Sequence, residues 1–225
     1  MVPRPMGAGR RRAASETVGV KMAAMSWYVL LLIPIGYGLG MFPSAVLVAR
    51  AKGHDITAEG SGNPGASNVA RLLGWRYGAI VLVADFAKGA AAAGIGYAAA
   101  GRPGAYVLGC AAVVGHTYPL RRKGGKGVAA AGGMLVVLFP LIVLALALVW
   151  FVVARVLKKA SIASLLVVVA FPVAVGLAGY EAWEVAVIAG VSALLVLRHL
   201  PNIRRLVRRQ EIDVNLRAGP EAPMR

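Results

Sequence analysis

The chain has one cysteine, three histidines and only nine acidic residues among 225. A lone thiol, Cys110, excludes an internal disulfide and a cysteine metal site within one chain. His54, His116 and His199 lack the paired spacing of a zinc-protease helix, so no metal held by protein ligands is expected. Charged residues are 15% of the chain and hydrophobic ones 59%, against about 25% and roughly 45–50% in soluble domains. The mean hydropathy is +0.71. What is scarce here is the material of a water-facing surface.

What is abundant comes in runs. Apolar stretches cover residues 27–35, 79–84, 135–153, 162–177 and 186–197, and a helix needs ~20 apolar residues to cross a bilayer. This pattern predicts an all-α, polytopic integral membrane protein with about seven transmembrane helices. The expected helices are 27–49, 76–100, 104–119, 127–139, 141–156, 161–178 and 183–198. Glycines inside them (Gly94, Gly96, Gly109, Gly115, Gly132 and Gly133) suit close helix packing. A single domain is expected over 25–211. Residues 1–24 read as a polar basic tail, disordered or an over-long start before Met22 and Met25, and 212–225 as a flexible tail.

The segment 128–153 is ambiguous, because two short helices around Pro140 would each fall short of a ~30 Å core. Charge decides. Arg50, Lys52 and Arg71 lie in one inter-span segment, Arg121, Arg122, Lys123 and Lys126 in a second, and Arg155, Lys158 and Lys159 in a third. Arg198, Arg204, Arg205, Arg208, Arg209, Arg217 and Arg225 follow the last span, bringing the set to seventeen of the 25 basic residues. All four segments share one side only if 128–153 crosses twice, as the positive-inside tendency requires. The expectation is therefore a short, protein-buried hairpin near Pro140, an outside N-terminus and a cytoplasmic C-terminus. The net charge of +16 lies between spans rather than along one polar face, which argues against a nucleic-acid partner.

Three polar segments then converge on the cytoplasmic face. In the first, SGNPGASNVAR at 61–71, Gly62 and Gly65 allow close backbone approach or positive φ, and successive N–H groups can form an anion nest. A helix starting near Val69 would add its dipole. Ser61, Asn63, Ser67 and Asn68 supply neutral hydrogen-bonding groups, and Arg71 can grip phosphate with two donors. A capped surface turn is the plain alternative. The second is KGGKG: Lys123, Gly124, Gly125, Lys126 and Gly127 place exposed backbone beside ammonium groups, though they do not form a Walker loop. The third runs from His199 through Asn202 and Arg205 to Glu211. Pro201 suits the first turn of a new helix, on which Asn202 and Arg205 share a face and Ile203, Leu206 and Val207 could cover the other.

Together these segments resemble the bacterial acyl-phosphate:glycerol-3-phosphate acyltransferase (PlsY) family. That family's Gly-Ser-Gly-Asn-x-Gly-Ala-Thr-Asn-x-x-Arg stands here as residues 60–71, with Ser67 in place of threonine. Its Lys-Gly-Gly-Lys-Gly-Val-Ala stands as 123–129, and its His-x-x-Asn-Ile-x-Arg-Leu ending in Glu as 199–206 with Glu211. The resemblance spans about 27–211 and implies transfer of a fatty acyl group from acyl-phosphate to the 1-position of glycerol 3-phosphate. It gives lysophosphatidic acid and phosphate without a cofactor, at a bacterial inner membrane, by a monomer. Ser61, Arg71, Lys126, His199 and Asn202 would be catalytic. Gly62, Asn63, Gly65, Ser67, Asn68, Lys123, Gly124, Gly125, Gly127, Arg205 and Glu211 would bind substrate phosphate. Other readings are a transporter for phosphorylated solutes and an anionic-lipid-binding protein. Asp85 and Lys88 are expected to form a structural pair, and His116 to be a packed helix-end residue. The stretch from His54 to Glu59 only approaches another acyltransferase motif, having Glu where that motif has Asp.

Overall fold

A computed structural model describes residues 28–213; the expected tail at 1–24 lies outside the described residues. Short helices α1 (Tyr28–Leu31), α2 (Ile33–Gly40) and α3 (Ser44–Arg50) make one apolar span, broken before Ile33 and at 41–43. Then come α4 (Ala66–Leu73), α5 (Trp75–Thr117), α6 (Val128–Leu138), α7 (Pro140–Leu157), α8 (Ala160–Leu177), α9 (Ala182–Arg198) and α10 (Leu200–Val207). Among the described residues no strand occurs.

At ~1.5 Å per residue, the 43 residues of α5 would reach about 65 Å, twice a bilayer core. It does not run straight. Ala100 and Gly101 leave helical geometry, with Gly101 at φ 62°, and the chain folds back so closely that a Cβ on Gly96 would lie 2.1 Å from the Gly104 carbonyl oxygen. The two legs coincide with the expected helices 76–100 and 104–119.

The second reversal is at Phe139, whose φ of −141° and ψ of 61° end α6 directly before Pro140. Arg102, from the α5 hairpin, donates to the Leu138 carbonyl at 3.4 Å and pairs with Glu184 at 2.7 Å. Its guanidinium also lies over the Phe139 and Tyr180 rings. The turns at 100–103, 138–139 and 180–184 thus meet at one end of the bundle. At the opposite end, Lys159 reaches the Glu211 carbonyl and the Asp213 carboxylate, and Arg198 reaches the 124–125 turn. Among the described residues seven helical legs run between these ends. Among the described residues four helical stretches, with α1–α3 and the folded α5 each taken as one, or five with the α9–α10 pair bent by 55°, have span length and hydropathy.

The hairpin at Pro140 is only half protein-buried, contrary to expectation. Alanine- and glycine-rich α6 lies inside, where a Cβ on Gly133 would sit 1.8 Å from the Phe86 carbonyl oxygen. Residues Leu141, Leu144, Leu148 and Val156 of α7 face outward at 64–79% exposure. Small side chains let α6 approach α5, whereas bulky aliphatic ones serve α7 against lipid. The main core gathers Tyr106, Met134, Leu138, Phe139, Phe171, Ile188 and Leu195.

Candidate active site

The first polar segment is a loop held by one buried asparagine. Gly60 and Gly62 have positive φ (59° and 62°), which turns the chain back over the start of α4. The Asn68 side chain fills that turn: Oδ1 accepts from the Ser61 N–H at 2.9 Å, and Nδ2 donates to the Glu59 and Ile56 carbonyls at 3.0 and 3.3 Å. Asn68 is 1% exposed. Its hydrogen bonds are already committed, so it shapes the cradle rather than lining it. Gly65 is extended (φ −157°) and caps α4, which starts at Ala66, three residues earlier than expected. Ser61, Gly62, Asn63 and Ser67 are partly exposed.

The KGGKG turn sits against that loop. Lys123 Nζ would be 3.2 Å from a Cβ on Gly62, and a Cβ on Gly125 would meet the Pro64 carbonyl at 3.0 Å. Here the expected exposed backbone needs correction. Gly124, Gly125 and Gly127 are buried. The Gly125 N–H donates to the His116 carbonyl at 3.1 Å, while Gly124 and Gly125 offer their carbonyls to Arg198 at 2.9 and 3.1 Å. A Cβ at Gly124 would lie 2.1 Å from the Thr117 carbonyl oxygen. These glycines are required for close packing, with Lys123 exposed and Lys126 partly buried beside them.

The third segment supplies the far wall. His199, 1% exposed, donates Nδ1–H to the Leu195 carbonyl at 2.8 Å, as an imidazole facing a carbonyl must. That leaves Nε2 as a bare acceptor. Asn202 donates to Glu211 Oε1 at 2.6 Å, and Arg205 Nε to Oε2 at 2.8 Å. The Asn202 Oδ1 atom is buried without a protein partner. Arg71 reaches the Asp213 carbonyl at 2.8 Å. Residues 212–213, expected in a flexible tail, thus close the site, and both Glu211 oxygens accept from Asn202 and Arg205.

Electrostatics agree with the contacts. Burial, opposed by Glu211 and reinforced by Arg71, Arg205 and Arg198, pulls the Lys126 ammonium down to about 8. Burial and then the Lys126 charge bring His199, just beyond α9, to about 4, so the imidazole is neutral. Burial works against the Glu211 charge, but hydrogen bonds from Asn202 and Arg205 outweigh it and hold the carboxyl below its usual range. Among the described residues no three His, Cys, Asp or Glu side chains gather as a metal would require.

Behind the KGGKG turn, Ser44 Oγ donates to Asp85 Oδ1 at 2.5 Å and Lys88 pairs with the same oxygen at 2.8 Å. Lys88 also donates to the Phe42 carbonyl at 3.0 Å, and His116 Nδ1 stands 3.6 Å from Asp85. Ser44, Lys88, His116 and Gly124–Gly125 line a cavity of about 30 Å³. The Asp85–Lys88 pair and packed His116 match expectation; Ser44 was missed. So were Arg198, which counted only as a topological charge although it adjoins His199, and Lys159. His54 pairs with Glu59 at 2.6 Å on the loop surface, away from the cluster.

Comparison with known proteins agrees. The family model described as "Glycerol-3-phosphate acyltransferase" matches residues 29–209. A relative of that name from Myxococcus xanthus is 43% identical over 189 residues, covering 80% of this chain and 96% of its own. One from Bacillus subtilis is 32% identical over 189 residues, covering 83% and 97%. Among solved structures, the glycerol 3-phosphate form of PlsY, an integral membrane glycerol 3-phosphate acyltransferase, superposes with a TM-score of 0.79 at 34% identity. It covers 83% of this chain and 96% of its own. The lysophosphatidic acid form gives 0.76 at 35% identity, covering 84% and 96%.

Proposed function

The chain belongs to the glycerol-3-phosphate acyltransferase family and is an integral membrane enzyme of that class; from that premise we propose that it acylates the 1-hydroxyl of glycerol 3-phosphate from acyl-phosphate. The hydroxyl oxygen attacks the acyl carbonyl carbon and the bond to the phosphate oxygen breaks. Lysophosphatidic acid and inorganic phosphate leave. The observation that carries the reading is the gathering of Arg71, Arg198 and Arg205 about Lys126, with His199 beside Lys126 and Arg198, and Glu211 and Asp213 as the opposing carboxylates. Two phosphate dianions side by side need such a surplus of cations.

Lys126 and Arg71 bind and orient the phosphates, and the Ser61–Ser67 cradle holds one of them through neutral donors, with the Lys123 ammonium beside it. Asn202 Oδ1 and His199 Nε2 are the two buried acceptors a polyol needs. Because His199 ionises near 4, it suits orientation of the hydroxyl better than proton removal; a phosphate oxygen, with a pKa near about 6, is the stronger base. Positioning and charge then carry the rate. The donor's acyl chain lies in the outward-facing apolar groove of about 530 Å³ between α2 and the second leg of α5, lined by Ile33, Tyr37, Val107 and Val114. The basic segments at this end favour the cytoplasmic face of a bacterial inner membrane.

The test is direct. Purified protein mixed with acyl-phosphate and labelled glycerol 3-phosphate should yield labelled lysophosphatidic acid. His199→Ala and Ser61→Ala should each reduce kcat/KM by about 100-fold with the thermal transition preserved. Near-normal turnover in both variants would refute the assignment.

A further inference from the structure

Helix α10 has two chemically different faces. The inner one carries Asn202 and Arg205, which hold Glu211 in the site. On the outer one Leu200, Arg204, Val207 and Arg208 follow at i, i+4, i+7 and i+8, and all are exposed, Val207 at 81% and Leu200 at 40%. A face meant for water alone does not spend two aliphatic side chains this way. A face meant for hydrocarbon alone does not carry two guanidiniums. The mixture suits the headgroup boundary, where apolar side chains sink to the acyl level and arginines stay with phosphates. Orientation agrees, since α10 is bent 55° from the span α9 and so tilts away from the bilayer normal. Among the described residues neither the Arg204 nor the Arg208 guanidinium has an ion-pair partner.

We propose that the outer face of α10 binds the headgroup phosphate of an anionic phospholipid, and that the bound lipid fixes the tilt of α10 and with it Asn202 and Glu211 across the helix. The occupant is a lipid rather than free phosphate because Leu200 and Val207 have no use for a soluble anion. The membrane surface then becomes a part of the active-site scaffold. Activity rises with the anionic fraction of the bilayer, the class of molecule that acylated glycerol phosphate leads to. The coupling half of this inference rests on the acyltransfer reading; the binding half does not.

The full chain reconstituted in phosphatidylcholine nanodiscs, with and without 30% phosphatidylglycerol, supplies both readouts at physiological salt. Native mass spectrometry should show phosphatidylglycerol retained by the wild type. An Arg204→Gln, Arg208→Gln double variant should bind it about thirty-fold more weakly. In pure phosphatidylcholine the two proteins should have equal kcat/KM for glycerol 3-phosphate. Phosphatidylglycerol should then raise it several-fold in the wild type alone. Equal retention by the variant overturns the binding surface. An equal activity response in both proteins, or none in a wild type that retains the lipid, overturns the coupling. Absence of product in every disc would instead fail the acyltransfer reading, leaving the retention result to stand or fall separately.

Discussion

Arg198 is the residue whose removal should reveal most. It does not touch the Ser61–Ser67 cradle, yet its guanidinium donates to the Gly124 and Gly125 carbonyls at 2.9–3.2 Å and rests over the Tyr118 ring, 5.0 Å from its centroid. Those carbonyls belong to buried residues. Replacing Arg198 by glutamine leaves them short of a donor, at about 1–3 kcal/mol for each unpaired group. Arg198 is half-buried, so water recovers part of that loss, and about 2–3 kcal/mol remains. If the turn positions Lys126 against His199, that energy appears in the transition state as a ~30–150-fold drop in kcat/KM. Arg198→Lys keeps the charge and can serve one carbonyl but not the two-carbonyl fork; a ~5–10-fold drop is expected. Steady-state acyltransfer with both variants, alongside their thermal transitions in detergent, checks this. Arg198→Gln within three-fold of wild type would show that the clamp does not set the site.

Two further perturbations follow from the same structure. In the proposed reaction Lys126 binds phosphate as the ammonium, and it loses its proton as pH rises through about 8. The kcat/KM for glycerol 3-phosphate should therefore drop about twofold between pH 7 and 8 and approach a tenfold fall per unit beyond; a profile still flat at pH 10 contradicts the role given to Lys126. Gly133→Ala puts a methyl 1.8 Å from the Phe86 carbonyl oxygen and should destabilise by about 1–3 kcal/mol, whereas Gly94→Ala, with nothing within 4 Å, should be neutral or stabilising by up to ~1 kcal/mol. Equal melting temperatures for the two would refute the packing argument.

The helices were legible because lipid solvation writes itself into long apolar runs, and the reversals because Gly101 and Pro140 interrupt those runs. The distribution of arginine and lysine predicted correctly which turns share an end. Much less legible was how each polar group spends its hydrogen bonds. Spacing identified Asn68, Gly124 and Gly125 as part of the site but read them as ligand-facing. The fold instead commits Asn68 to the backbone at 56–61, and packs the two glycines against Thr117 and His116. Arg198 looked like one more positive charge beyond a span, since nothing local in the chain reveals a carbonyl 73 residues away. Ser44 was invisible for the same reason: its partner Asp85 is 41 residues distant.

The placement of carboxylates gives the site its logic. On the proposed reading a pocket for dianions would bind more tightly with no acid in it, yet the Glu211 carboxylate is buried in its wall, while Asp213 meets Arg71 through its backbone carbonyl. Without substrate, neighbouring cations repel one another, and a pair about 7 Å apart at an effective dielectric of 20 opposes folding by roughly 2 kcal/mol. Glu211 relieves that strain for Arg205 and Lys126 through contacts made at the edge, not at the centre. Its backbone carbonyl meanwhile takes Lys159 from the start of α8. The carboxylate thus permits an excess of cations to persist in an empty pocket, while its two oxygens, occupied by Asn202 and Arg205, present little repulsion to an arriving phosphate. Removing the acid should therefore be felt first as loosening of α10 and the wall it carries, and only through that as weaker substrate binding.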